Sequence, residues 1–363
     1  MGDEVKKILP VRLRQAREMA GLSLRGLSEA TNGQVSHNAI SRYEGGIMFP
    51  GSEALNAIAS AVGQSLDYFI RPFQVSIDLR QVRFRKRSSK LGKKDQEAIK
   101  MQAEDFFERY CEIEEILGVR HLYEPPFDPI PVTDPNDVTR LAKELREKWE
   151  LGLDPLPNVH ELMELKGIKV HELPTEHGAF DGFSAMTDAG PVVVIASWLN
   201  KDIPRKRMTE VHELAHVVLN IPEEMDERQE EKLVWDFAGE LLMPKEEFTD
   251  KFGRRTKITL QELTALKKHF GVSIMAIVTR AAKLCLISDS AKVEFFKFAN
   301  RNGWRTNGEP GGDAYTGTES NQRFKTLVHR AVVEEKISES KGASLLRVPL
   351  PELREELKGV TFK

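Results

Sequence analysis

Only two cysteines occur in 363 residues, Cys111 and Cys285, far apart and without C-x-x-C spacing. That excludes a disulfide framework and a cysteine-bound metal, and leaves two buried free thiols as the expectation. Long apolar runs are also missing: no stretch of 18 apolar residues occurs, and the opening MGDEVKKILP has no apolar signal core. A membrane span and a secretory leader are therefore not expected, and the chain reads as soluble and cytoplasmic. Neither sign of charge is in large excess; the net value of −3 rules out a polycation, so nucleic-acid contact would need a local basic surface. Histidine is scarce, 9 in the whole chain, so two of them close together carry information.

What is present is enough for two or three globular domains: 363 residues at 40% hydrophobic content. The segment RMTEVHELAHVVLN places His212, Glu213 and His216 in an H-E-x-x-H pattern. Two histidines four apart lie on one helix face, one turn from each other, and both imidazoles can reach a single Zn²⁺. Glu213 beside them can act as the base for a metal-activated water. Val211, Leu214, Ala215 and Val218 recur at helical spacing, as in a buried helix. A third ligand is expected downstream. In EEKLVWDFAGELLMP, Glu231 leads a face shared with Trp235, Ala238 and Leu242; Glu227 and Glu230 are its neighbours and competitors.

Residues 8–71 read as five short helices. The first begins near Leu13 and ends at Gly21, the second follows Ser23, and the third, HNAISRYEGG, follows Ser36. SEALNAIASAVG and SLDYFI complete the set, each with a serine at its start. Helix, brief turn, then helix with Ile40 at its core position is a helix-turn-helix pattern. Residues 72–94 hold a basic run with Arg80, Arg83, Arg85, Lys86, Arg87, Lys90, Lys93 and Lys94, a solvated linker or a phosphate-facing strip. A long amphipathic helix over DQEAIKMQAEDFFERYCEIEEILG, a Pro-rich break and a helix from Asp137 to Leu151 follow. NVHELMELKGIKVHELP reads as helix, glycine turn, strand, and GAFDGFSAMTDAGPVVVIASWL as a small antiparallel sheet turning at Asp188-Ala189-Gly190. Residues 286–363 read as helices around a Gly-rich loop, with serines opening the last two.

The N-terminal segment resembles the XRE/Cro-type helix-turn-helix family through RQAREMAGLS, SHNAISRYEGG and the P-x-x-x-x-L-x-x-I-A-x-A-V-G stretch from Pro50. The resemblance implies that HNAISRYE enters the major groove of double-stranded DNA. Gln34, Ser36, His37, Asn38, Ser41 and Arg42 are then candidate contacts, and Arg25 a phosphate contact beside Leu24, where the family often has a polar residue. The later region resembles the ImmA/IrrE metallopeptidases through FDGFSA, PVVVI, RMTEVHELAHVVLN and EKLVWDFAGELLMP. That resemblance implies zinc on His212, His216 and Glu231, Glu213 as base, and a repressor or antitoxin-like protein, often of the XRE class, as substrate. Met208 and Val234-Trp235 depart from the family's usual residues. His177, Arg205 and Arg207 are candidate oxyanion donors.

The expected fold is thus multidomain: an all-α helix-turn-helix domain at 8–71, a basic linker at 72–94, an α+β zincin-like metallopeptidase domain at 95–285, and a mainly helical C-terminal part at 286–363. The expected function is a DNA-binding regulator with zinc-dependent endopeptidase activity. The alternatives are a regulator whose peptidase fold senses or binds without cleaving, and an antitoxin-like partner. A homodimer is expected, because such DNA-binding domains commonly read palindromes as dimers.

Overall fold

The computed structural model describes residues 3–71, 77, 79, 92–175, 180–254, 257–312, 315, 317–320 and 322–359. Packing divides the chain into two units, one formed by residues 1–121, 187–189 and 322–363, the other by residues 122–186 and 190–321.

The first unit opens with α1 (Asp3–Met19), α2 (Leu24–Ala30), α3 (His37–Glu44), α4 (Ser52–Val62) and α5 (Leu66–Ile70). The capping residues behave as local chemistry requires. Ser23 accepts from Gly26 N–H, Ser36 from Ala39 N–H and Ser65 from Tyr68 N–H. One expectation needs correction. α1 starts ten residues before Leu13 and carries Pro10 inside it, because Ile8 and Leu9 are buried and hold the added turns. α4 takes Gly51 as its cap, and Ser52 is its first helical residue. Leu9, Leu13, Ala16, Leu27, Ile40 and Phe69 form the small core, and Arg17 ties α1 to α3 through both oxygens of Glu44, at 2.7 and 2.8 Å.

The long amphipathic helix is α6 (Lys93–Leu117). Its packing departs from the expected domain border at residue 94. It lies in the first unit, where Arg12 of α1 reaches Glu108 at 2.8 Å. An amphipathic pattern states that a helix buries a face; it does not name the partner.

The second unit contains α7 (Pro135–Lys148), α8 (Val159–Leu165), β1 (Lys169–Leu173), β2 (Gly182–Thr187) and β3 (Gly190–Ala196). α9 (Ile203–Val218), α10 (Glu227–Leu242), α11 (Lys245–Phe252), α12 (Leu260–Phe270), α13 (Ile274–Lys283), α14 (Asp289–Arg301) and α15 (Trp304–Asn307) follow. The sheet order is β1-β3-β2, and β1 pairs with β3 in parallel, Lys169 opposite Val192. The strand expected from IKVHELP, whose pairing no sequence pattern specifies, thus joins the β2–β3 segment in parallel and makes the sheet mixed. Val192, Val193, Val194 and Ile195 are fully buried, as a central strand covered on both faces demands. β2 can approach β3 because residue 182 is glycine: a Cβ there would sit 2.8 Å from the Val194 carbonyl oxygen. α9 lies against β3, and α10 packs on α9 and α7.

The stretch 286–363 does not form one part. α14 and α15 belong to the second unit, whereas α16 (Arg323–Val333), α17 (Glu339–Leu346) and α18 (Leu350–Glu356) belong to the first. There α16 packs on α6, with Phe324 and Phe106 ring centroids 5.0 Å apart and Arg323 bonded to Tyr110 Oη at 2.9 Å. α17 is capped by Ser338, but Pro349 rather than a serine precedes α18. Cys111 is buried as expected; Cys285 is exposed, in the turn after α13, where its backbone is left-handed (φ 55°). Among the described residues no helix is long and apolar enough to cross a membrane.

Candidate functional site

The H-E-x-x-H segment occupies the second half of α9. Asp202 caps that helix by accepting from Arg205 N–H, and Pro204 stands in its first turn. Val211, Leu214 and Ala215 are fully buried in the core of the second unit, which fixes the rotation of the helix about its axis. His212 is completely buried and Glu213 nearly so. The Nε2 atoms of His212 and His216 face each other at 3.2 Å. α10, capped by Asp226, brings Glu231 to them, with one oxygen 3.7 Å from His212 Nε2 and the other 3.8 Å from His216 Nε2. Among the described residues this is the only group of three or more His, Cys, Asp or Glu whose donor atoms, all within 4.8 Å of one another, could hold a metal ion.

Of the two competing glutamates, Glu230 lies 3.5 Å from Nδ1 of His216, on the ring edge away from the cluster, and Glu227 is exposed one turn earlier. The donor set fits zinc: two imidazole nitrogens and a carboxylate, nitrogen facing nitrogen across a gap that a shared cation can fill. Outer support is uneven. His216 has Glu230 behind it, whereas the buried Nδ1 of His212 has no hydrogen-bond partner among the described residues.

Two neighbours complete the surroundings. Ser184 on β2 donates from Oγ to Glu213 Oε2 at 3.0 Å, a contact that sequence reasoning missed. Trp235 on α10 lies 4.3 Å from the His212 ring, tilted by 56°, and is 38% exposed, so it forms a partly open wall. The oxyanion candidates lie elsewhere. Arg205 grips Asp181 at 2.8 and 3.0 Å and sits over Trp198, and fully buried Arg207 binds Glu319 and the Leu156 carbonyl. His177 lies outside the described residues.

Behind α9 is a buried charge cluster with no signature in the sequence. Glu319 accepts from the backbone N–H groups of Val159 and His160 at 2.6 and 2.9 Å, and His160 Nδ1 lies 3.1 Å from Glu210. Burial, and then the nearby Glu210, push the Glu319 carboxyl up to about 8 against the pull of Arg207. Gly271 makes room for this cluster: it is left-handed (φ +64°), and a Cβ there would lie 2.6 Å from Arg207 Nε.

In the first unit, Gln34, Ser36, His37, Asn38, Ser41 and Arg42 are all exposed along the start and outer side of α3, and Arg25 is exposed on α2. All seven side chains are thus accessible to solvent. The Ser36 hydroxyl is already engaged as the cap of α3. Arg25, Gln34, Asn38 and Arg42 make no side-chain hydrogen bond to another described residue, which leaves their donors for a ligand. Of the basic run, Lys93 and Lys94 begin α6; residues 80–90 lie outside the described set.

Family models cover both regions. Residues 9–67 match the helix-turn-helix domain, and residues 163–282 match a peptidase-family model, the IrrE N-terminal-like domain. No curated protein matches the chain significantly.

Proposed function

We propose that this chain, which joins a helix-turn-helix domain to an IrrE N-terminal-like domain, is a DNA-binding regulator that cuts a partner protein with a zinc-dependent endopeptidase site. The observation that carries this reading is the convergence of His212, His216 and Glu231 with Glu213 beside them. His212, His216 and Glu231 hold the metal, which when bound supplies Lewis acidity to a water and to the scissile carbonyl. Glu213 takes the proton from the attacking water and returns it to the leaving amine. Ser184 keeps one Glu213 oxygen oriented, and burial of His212 and Glu213 keeps bulk water from competing. A scaffold that only bound a partner would need no carboxylate at that position.

The substrate class is a repressor or antitoxin-like protein of the XRE type, and the setting a stress, phage or mobile-element response. The exposed face of α3 and Arg25 would contact an operator, and the chain would act as a cytoplasmic homodimer on a palindrome. One observation favours the second reading, a sensor or antitoxin without cleavage: Trp235 covers His212 and narrows the approach to the metal.

The test pairs wild type with Glu213→Gln, each assayed for zinc content and for cleavage of an XRE-type repressor encoded nearby. About one zinc in both proteins, with cleavage by wild type alone, supports the peptidase reading. Zinc without cleavage favours the sensor reading, and absence of zinc from both removes the metal centre. A gel-filtration monomer at every concentration would remove the homodimer.

A further inference from the structure

The first unit contains a cavity of about 550 Å³ between α4, α5, α6 and the α17–α18 turn, remote in sequence from the H-E-x-x-H segment. Its lining carries three guanidiniums, Arg71, Arg109 and Arg347, and one carboxylate, Asp105. All three arginines converge on that carboxylate: Arg71 at 3.2 Å, Arg109 at 2.8 Å and Arg347 at 2.7 Å. Arg109 also donates to the Leu345 carbonyl. Arg71 and Arg109 are each 5% exposed, so solvent does little to offset their charge.

One carboxylate cannot neutralise three guanidiniums. Glu112 lies 3.9 Å from Arg71, but it is held by Lys341 at 2.8 Å, which also reaches Asp67. Counting all of these, four cations face three carboxylates, and Asp67, half-buried, is shared between Lys341 and Ser344. The imbalance shows in the groups themselves. Burial, and after Asp105's opposing pull the neighbouring Arg347 and Arg71, push Arg109 down to about 10. Asp105 is held below the usual carboxylate range although burial alone would raise it, because Arg109, Arg347 and Arg71 together outweigh burial. Leaving buried positive charge short of a partner is costly, and a dianionic oxyanion removes that cost. Guanidinium forks match phosphate oxygens in pairs. The remaining lining mixes hydroxyl and amide groups, among them Ser60, Ser340 and Gln64, with apolar side chains such as Leu66, Val348 and Leu350, and the volume suits a nucleotide-sized molecule. Arg347 also holds the left-handed position at the end of α17 (φ 58°), where glycine would be the unstrained choice.

We propose that this cavity binds a small phosphorylated ligand, its phosphoryl group seated on Arg71, Arg109 and Arg347 and its body along the mixed polar and apolar wall. Because α4 and α5 form part of that wall, the ligand would be read by the helix-turn-helix domain itself. The proposal is independent of the metal centre and survives if that centre proves inert.

The experiment is calorimetric titration of the full chain with pyrophosphate, AMP and citrate at matched ionic strength, alongside Arg347→Gln and Ser340→Glu. Arg347→Gln leaves Asp105 paired with Arg71 and Arg109, so the fold should hold. Ser340 is exposed, so Ser340→Glu costs little in stability while placing a competing carboxylate at the mouth. The expected result is one saturable site for pyrophosphate or AMP, at least tenfold weaker in Arg347→Gln and lost in Ser340→Glu. Three outcomes overturn the proposal: no phosphate probe binds wild type, both variants bind as wild type does, or citrate alone binds. Loss of operator affinity in Arg347→Gln without small-molecule binding would instead assign the arginines to DNA phosphates.

Discussion

Ser184 and Glu213 form the contact on which the proposed chemistry depends most closely. A buried carboxylate with rotational freedom is a poor base, because its lone pair is aimed at the water only part of the time. The 3.0 Å bond from Ser184 Oγ removes that freedom. Ser184→Ala should lower kcat about tenfold, less than the roughly 10²–10⁴ that the base itself contributes, with KM and zinc content unchanged, and Ser184→Thr should recover most of the rate. A rise in KM alone, or loss of zinc, would assign Ser184 to substrate binding or to the fold. His212, Glu213 and His216 were legible in the sequence because helical spacing alone sets their relation. Ser184 was not, since it reaches Glu213 from a strand that no local pattern ties to α9.

At the level of elements, α3 shows how a cap and a surface share one segment. Ser36 is spent on the helix, whereas Arg42 points its charge to solvent. Arg42→Ala should therefore leave folding intact and weaken operator binding. The slope of log affinity against log salt should also fall by about one if Arg42 contacts a phosphate. An unchanged slope together with relaxed base preference would move Arg42 to a base edge. Ser23, Ser36 and Ser65 were readable as caps, since capping is decided within four residues. The start of α1 was not, because Ile8 and Leu9 are helical on account of the core they enter. The parallel pairing of β1 with β3 and the docking of α6 on α1 were equally hidden. Both depend on partners distant in sequence, whereas hydrophobic periodicity reports only that a face is buried.

Across the whole molecule the chain leaves its first unit near residue 121 and, residues 187–189 apart, returns to it at 322, so the α16–α18 segment completes a unit begun at the N-terminus. Two units mean that a single melting temperature describes neither. The four tryptophans separate them: Trp149, Trp198, Trp235 and Trp304 all lie in the second unit, so their fluorescence follows its unfolding alone. That signal can test the buried cluster behind α9. The Glu319 carboxyl, raised on folding from an ordinary 4.5 to about 8, holds a proton that the unfolded chain has already lost near neutrality. Its contribution to stability is complete below about pH 4.5 and is lost as pH rises through 8, because the unfolded state binds fewer protons throughout that window. Urea unfolding of the metal-free protein, followed by tryptophan emission, should show stability falling from pH 5 to 8 by up to about 1.4 kcal/mol per pH unit for each raised carboxyl, with Glu210, which burial pushes up to about 7, adding to Glu319. Keeping the metal out matters, since ligand histidines release protons on binding and would add a slope of their own. Glu319→Gln keeps an acceptor for the Val159 and His160 amides but cannot titrate. At acid pH its stability should stay close to wild type's, because the protonated carboxyl and the amide carry the same charge, and it should be flatter against pH, keeping only the part owed to Glu210. A variant as steep as wild type would mean that Glu319 is ionised throughout and that Arg207, rather than a retained proton, balances its charge.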